Sequence, residues 1–104
     1  MYQVTKRDGK VVDFNIEKID AAITKAFEAT GTNYTPSVIH FLSLMVTAEF
    51  QPKIQNDLIT VEDVQDSVEA VLSRSGYEGV AKAYILYRKQ REKLRNMKRT
   101  YLDY

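Results

Sequence analysis

The sequence has no cysteine, no tryptophan, a single histidine and only two prolines among its 104 residues. Without cysteine, the chain has no disulfide, zinc ribbon, iron–sulfur ligand or thiol nucleophile, and a cytoplasmic location is the simplest expectation. No apolar run approaches the roughly 20 residues that a membrane span needs. The N-terminal segment, MYQVTKRDGK, also lacks the apolar stretch of a signal peptide. These absences exclude several classes of protein and predict that the chain has no membrane partner.

The composition is that of one small globular domain. Hydrophobic residues make up 44% of the chain and charged residues 28%, close to the globular average. A chain of this length buries roughly two-thirds of the surface that its unfolded form exposes, enough for one core. The charge is uneven: residues 1–81 carry seven Lys and Arg against twelve Asp and Glu, whereas residues 82–104 carry eight against two. A basic C-terminal segment is compatible with a solvated helix or with a surface for phosphate or nucleic acid.

The first residues predict a β-hairpin. Two short runs of β-forming residues, at 2–4 and 11–14, flank a polar segment that contains Asp8-Gly9. An Asp-Gly pair readily supplies the positive φ that tight hairpin turns require. Because a two-stranded ribbon is only marginally stable alone, we expect it to pack against helices.

Four segments with helical periodicity follow the hairpin. Asn15 precedes the first as an N-cap residue, Thr35-Pro36 opens the second, and Thr60 opens the third. The expected helices span about 16–29, 36 to before Pro52, 61 to about 75, and 79 to the late nineties. Residues 52–59 receive no assignment. The order predicts an α+β domain in which an N-terminal β-hairpin packs on a mainly four-helix unit.

The residue types that catalysis needs are scarce. His40 is the one histidine, and a surface or edge position in the second helix is expected for it. The sequence has no Gly-x-Ser-x-Gly and no His-x-x-x-His, so nucleophilic and metal sites lack their parts. The pairs Glu62/Asp63 and Asp66/Glu69 lie near a helix start, where carboxylates stabilise the helix dipole. We therefore predict neither a catalytic residue nor a metal site made of protein side chains.

Basic residues leave two alternatives for the binding of anions. Lys6 and Arg7 at the hairpin tip, with Lys18 in the first helix, could bind phosphate, but taken alone they are more simply solvated. The chain has neither of the familiar glycine-rich phosphate loops. The segment from Tyr87 to Arg95 interleaves aromatic and cationic residues, as nucleic-acid-binding surfaces do. Its cations spread around the helix without forming a single stripe, which favours a solvated or partner-facing helix.

Three segments together resemble the ATP-cone family. Residues 4–15, VTKRDGKVVDFN, followed by Lys18-Ile19, resemble the opening of an ATP-cone. Residues 59–66, ITVEDVQD, and 80–88, VAKAYILYR, resemble the second and third signatures of the family. The resemblance covers about residues 3–91, and its specificity comes from the order and separation of the three segments. ATP-cones are regulatory nucleotide-binding domains, found chiefly at the N-terminus of ribonucleotide reductases and in a related transcriptional repressor.

The resemblance implies a nucleotide site. Lys6 and Arg7 would contact the triphosphate, Lys18 would add a phosphate contact, and the start of the third helix would meet the adenine. Apolar side chains of the hairpin and first helix would enclose the nucleotide. The implied nucleotide-binding residues are Val4, Lys6, Arg7, Phe14, Asn15, Lys18, Ile19, Thr60, Val61, Val64, Gln65, Tyr87, Arg88 and Lys89. Some relatives carry an acidic residue in place of Val12 and a histidine in place of Gln65, so base recognition through backbone groups is an alternative.

The function that the resemblance implies is allosteric and not catalytic. The domain would bind ATP or dATP with Mg²⁺ and control the overall activity of a ribonucleotide reductase. ATP would activate and dATP inhibit, through altered domain packing or a ligand-dependent homo-oligomer. Residues 1–91 would form the ATP-cone, and residues 92–104 a basic helical extension toward the catalytic domain of the parent reductase, which this chain does not contain. We interpret the chain as an excised or truncated regulatory domain.

The sequence leaves alternatives for the class of the parent enzyme and for the function of the domain. The extension most resembles the connection in an anaerobic, glycyl-radical ribonucleoside-triphosphate reductase, while an aerobic or adenosylcobalamin-dependent reductase is the alternative. A degenerate cone would act only as an oligomerisation module. A nucleic-acid-binding domain would use the basic fourth helix, and its DNA affinity would fall steeply with salt.

Overall fold

The computed structural model describes the backbone of residues 2–102 and the side chains of residues 2–97. This part contains the strands and helices β1 (Gln3–Thr5), β2 (Val11–Asp13), α1 (Ile16–Thr30), α2 (Pro36–Phe50), β3 (Leu58–Thr60), α3 (Val61–Arg74) and α4 (Glu78–Leu102). A 3₁₀ turn, Gln51–Lys53, follows α2. The predicted α+β class, with a hairpin on a mainly four-helix unit, is confirmed. Asp103 and Tyr104 of the predicted extension lie outside the described residues.

The turns and helix caps form where the sequence predicts them. In the hairpin turn, Gly9 has a φ of 87°, and its N–H donates to the Lys6 carbonyl at 2.9 Å. The Asn15 side chain accepts a hydrogen bond from the Glu17 N–H at 2.9 Å, which satisfies a free donor of α1. Thr60 accepts in the same way from the Asp63 N–H at 3.1 Å. The first strands and the starts of α1 and α3 are therefore fixed locally.

The sheet contains a third strand that the sequence analysis missed. Within the described residues the strand order is β2-β1-β3, with β1 antiparallel to β2 and parallel to β3. A tight turn leads into β3: Asn56 and Asp57 have φ values of 53° and 59°. Asn and Asp tolerate this left-handed conformation better than other non-glycine residues, so the Asn-Asp pair was a usable turn signal. Pairing of Val4 with both Val12 and Ile59 makes β1 the central strand.

The core lies between the four helices, and the sheet covers one end of it. Each helix contributes a buried apolar stripe; the fully buried large side chains are Phe27, Phe50, Ile23, Leu72, Val46, Val68 and Val71. Aromatic rings join the hairpin to this core. The Phe50 ring centroid lies 5.8 Å from that of Tyr2 and 5.7 Å from that of Phe14. The end of α2 therefore attaches the hairpin to the helices.

One face of α2 is apolar but exposed. Phe41 is 61% exposed and Leu44 is 51% exposed, although both lie in a helix whose opposite face is in the core. Despite such apolar faces, no helix within residues 2–102 has the length and hydropathy of a membrane span.

We expect Phe50→Ala to lower the free energy of unfolding by about 3–5 kcal/mol, because it leaves a cavity where the hairpin meets α2. Phe41→Ala is the matched control, since it removes the same ring from the exposed face of the same helix. The control should change stability by no more than about 0.5 kcal/mol. Urea denaturation followed by circular dichroism measures both. Equal losses in the two variants would contradict the aromatic attachment.

Tyr84 gives the stability a pH dependence. Its side chain in α4 is 5% exposed, and burial raises the pKa of its hydroxyl well above the ordinary value of 10.0. The unfolded chain therefore loses this proton first as the pH rises, so folding stability decreases from about pH 10 upward. Above about pH 10, the free energy of unfolding falls as the pH rises. We expect Tyr84→Phe to make this fall less steep, by up to about 1.4 kcal/mol per pH unit. Urea midpoints at pH 8 and pH 11 measure the slopes; identical slopes in wild type and variant would contradict the assignment.

Candidate nucleotide site

A small cavity lies where the hairpin meets the N-termini of α1 and α3. Its volume is about 150 Å³. Eight of the residues predicted for the nucleotide site line it, together with Val12 and Asp13; these eight are Val4, Lys6, Phe14, Asn15, Lys18, Ile19, Val61 and Val64. The walls combine aliphatic and aromatic surface with two cationic side chains, Lys6 and Lys18, and one carboxylate, Asp13. This is the pattern of a ligand site in which apolar walls give area and a few polar groups fix orientation.

A larger cavity of about 440 Å³ adjoins the first, between α1, α3 and α4. The two share Lys18, Ile19, Val61 and Val64, so they lie side by side. The larger cavity includes three more predicted residues, Gln65, Tyr87 and Arg88. Ligand pockets typically hold about 300–1,000 Å³, a range that the larger cavity reaches and the smaller does not. The larger cavity alone is therefore within the range of ligand pockets, and the smaller one adjoins it.

The lining of the larger cavity is strongly basic. Five of its residues are cationic and none is acidic: Lys18, Lys25, Arg88, Arg91 and Arg95. We expected the cations of the fourth helix to spread around it without forming a stripe. For three of them this expectation was wrong. Arg88, Arg91 and Arg95 are spaced by three and four positions, so they share one face of α4. This spacing, and that of Lys18 and Lys25 on α1, was the signal by which Lys25, Arg91 and Arg95 could have been found.

Lys6 and Lys18 are available to an anion. Among the ion pairs of residues 2–97, none involves either lysine. Both line the smaller cavity, beside the first turns of α1 and α3. Helix N-termini carry partial positive charge and free N–H groups, so two of them at one place favour an anion further. The smaller cavity is thus suited to phosphate.

Arg7 lies outside the walls of both cavities and is engaged with acidic residues. Its Nε lies 3.1 Å from the Glu62 carboxylate, and its Nη2 donates to Gln65 at 3.0 Å. The Nη1 lies 3.6 Å from the Glu92 carboxylate. The Nε contact is not aligned as a hydrogen bond, and this buried N–H has no other acceptor among the described residues. Arg7 therefore joins the hairpin turn to both α3 and α4, while its neighbour Lys6 lines the cavity.

Arg88 is held by two carboxylates of α3. Its Nη1 lies 2.8 Å from both Asp66 and Glu69, and its side chain is 17% exposed. Burial alone would lower the pKa of Arg88, but the hydrogen bonds to Asp66 and Glu69 outweigh it and raise the pKa above its ordinary value. The guanidinium is permanently charged, and the α3 carboxylates fix its position at the cavity wall.

Three predicted residues line neither of the two adjoining cavities: Arg7, described above, Thr60 and Lys89. Thr60 caps α3 and lines a separate cavity of about 210 Å³ with Thr5 and Asp63. Lys89 is exposed on α4 and lines neither of the two adjoining cavities. The structure therefore brings eleven of the fourteen predicted residues to the two cavities and places Arg7, Thr60 and Lys89 around them. Their contacts with a nucleotide stay a prediction.

The remaining polar cluster does not have the geometry of a catalytic site. His40 Nδ1 lies 3.3 Å from Asp20, and the Ser43 hydroxyl donates to the other oxygen of the same carboxylate. Because Asp20 lies between the serine and the histidine, the imidazole is not placed to activate the hydroxyl. No group of three or more His, Asp or Glu side chains in the described part of the chain is placed to hold a metal.

Comparison with known proteins gives this site a family context. Residues 2–93 match the family model described as the ATP cone domain. The chain is 42% identical over 102 residues to a ribonucleoside-diphosphate reductase subunit alpha of Chlamydia trachomatis. It is 35% identical over 96 residues to a vitamin B12-dependent ribonucleoside-diphosphate reductase of Mycobacterium tuberculosis. It is 34% identical over 92 residues to an anaerobic ribonucleoside-triphosphate reductase of Salmonella typhimurium.

These matches cover 89%, 92% and 86% of the chain but only 10%, 13% and 12% of the respective relatives. The chain therefore corresponds to about a tenth of much longer reductases. Reductases of three kinds match over similar fractions of this chain, so the comparisons do not show to which kind of reductase the chain belongs. ATP-cones are regulatory, nucleotide-binding domains and not the catalytic part of these enzymes. Since the family model matches residues 2–93, nearly the whole length, the chain belongs to the ATP-cone family.

Proposed function

We propose that this domain binds ATP and dATP at the two adjoining cavities and thereby controls the overall activity of a ribonucleotide reductase. The observation that carries the proposal is the pair Lys6 and Lys18. Both are without an ion pair in the described part of the chain, and both line the cavity at the N-termini of α1 and α3. Such a site binds a triphosphate without a glycine-rich loop.

The proposed pose follows the chemistry of the walls. The triphosphate contacts Lys6, Arg7 and Lys18, and Mg²⁺ enters with the nucleotide. Apolar residues of the hairpin and α1 enclose the sugar and base; these are Val4, Phe14 and Ile19, next to Asn15. The first turns of α3, Thr60 to Gln65, meet the adenine, and Tyr87, Arg88 and Lys89 approach from α4. The positions of Tyr87 and Arg88 in the lining of the larger cavity support the proposed contact between α4 and the nucleotide.

Regulation requires that the nucleotide bind two states of the enzyme with different affinity. ATP and dATP differ by one 2′-hydroxyl, so the proposal is that this group, or the number of nucleotides bound, biases domain packing or homo-oligomerisation. ATP activates and dATP inhibits. The partner is the catalytic domain of the parent reductase, for which an anaerobic, glycyl-radical enzyme stays our prediction. A cytoplasmic location, expected from the lack of cysteine, also stays a prediction.

Calorimetric titration of the 104-residue chain with ATP and dATP in the presence of Mg²⁺ tests the proposal. We expect both adenine nucleotides to bind, with dATP favoured, and GTP and CTP to give no binding heat. A folded chain that binds none of the four would indicate a degenerate cone that acts in assembly. Binding of DNA at low salt without nucleotide dependence would instead support the nucleic-acid alternative.

Lys6→Ala and Arg7→Ala test the phosphate contacts. Each should weaken ATP binding by about 1.5–3 kcal/mol, or roughly 10- to 150-fold, because each removes a charged hydrogen bond to phosphate. Lys53→Ala is the control: it removes the same charge from a residue that lines neither of the two cavities. Its affinity should stay within about twofold of wild type. Unchanged affinity in either test variant would remove that residue from the site.

A further inference from the structure

Arg7 connects three elements that are distant in sequence. It lies in the turn after β1, and its guanidinium contacts Glu62 and Gln65 of α3 and Glu92 of α4. Its side chain is 23% exposed, so these contacts are partly shielded from water. The next residue back along the chain, Lys6, lines the smaller cavity. A residue beside the proposed phosphate site therefore also contacts α4 at Glu92.

The three contacts of Arg7 differ in strength. Those with Glu62 and Gln65 are 3.1 and 3.0 Å long, while that with Glu92 is 3.6 Å long. Glu92 is also the more exposed carboxylate, at 54% against 44% for Glu62. A longer and more solvated pair is the weaker one. Glu92 is therefore the more weakly held of the two carboxylate partners of Arg7.

Arg88 provides a contrast on the same helix. Both of its carboxylate partners, Asp66 and Glu69, belong to α3 and lie 2.8 Å away. If a ligand replaced one of these two carboxylates, the other would still hold Arg88 to α3. The Arg88 pairs join α4 to α3 by two short contacts, whereas the Arg7–Glu92 pair joins α4 to the hairpin turn by one longer contact. Only the second is suited to break when a ligand binds.

We propose that Glu92 competes with the phosphates of the nucleotide for Arg7, so that nucleotide binding detaches α4 at Glu92 from the hairpin turn. This inference rests on the proposed nucleotide-binding function. A triphosphate carries more charge than a carboxylate and offers several acceptor oxygens, so it is the stronger partner for one guanidinium. Glu92 is a positioning residue, since it acts through Arg7. Phosphate binding at one end of the domain is thereby linked to the start of the predicted extension.

Calorimetry of ATP binding to Glu92→Gln and Glu28→Gln tests the competition. Both variants lose one negative charge, but Glu28 makes no ion pair among residues 2–97. Glu92→Gln should bind ATP about twofold to fivefold more tightly than wild type, the range expected for the loss of one exposed competing ion pair. Glu28→Gln should bind like wild type. Equal or weaker binding by a folded Glu92→Gln variant would overturn the inference.

Hydrogen exchange adds a readout that general destabilisation would not reproduce. In wild type, ATP should speed amide exchange at residues 92–97 by about twofold to fivefold. In Glu92→Gln, exchange there should already be fast and should not respond to ATP. An unchanged wild-type pattern on ATP binding would overturn the coupling. If wild type binds ATP but Glu92→Gln gains no affinity, this inference fails alone; if wild type binds no ATP, the proposed function fails with it.

Discussion

The parallel pairing of β1 with β3 is the constraint on which the rest of the structure depends. It places Val4 opposite Ile59 and Thr5 opposite Thr60, and the Gln3 N–H donates to the Asp57 carbonyl at 2.8 Å. Because Thr60 is both the last residue of β3 and the N-cap of α3, the strand register also sets where α3 begins relative to the hairpin. The smaller cavity forms in this corner. The pairing with β3 thus fixes the hairpin relative to the start of α3.

Charge pairing divides the basic residues of the site into two groups. The carboxylates of α3 neutralise Arg7 and Arg88, and these contacts fix the hairpin and α4 against α3. Lys6 and Lys18 lie on the cavity side without such partners in the described part of the chain. The carboxylates position the arginines, and the lysines remain open to an anion.

Strands, turns and helix starts could be predicted from the sequence where neighbouring residues form them, and not where distant residues do. Asn15 and Thr60 cap their helices within two or three residues, and Gly9 adopts a positive φ within its own turn, so local sequence was sufficient. The strand β3 has only three residues and pairs with a strand more than fifty positions earlier. Its periodicity is too short to be read, and its partner cannot be identified from neighbouring residues. The Asn-Asp turn was the remaining local signal.

Some features of the candidate site could likewise be predicted from the sequence, and others depend on the tertiary structure. The sequence by itself determined which residue types were available, through the cations of the hairpin and α1, the apolar positions around them, and a resemblance that named fourteen positions. Only the tertiary structure decided that eleven of these line two adjoining cavities, and that Arg7 turns toward Glu62 and Glu92. The physical reason is that an ion pair or a cavity wall depends on distances between elements. Those distances are set by strand register and helix packing, which no local segment of the sequence encodes.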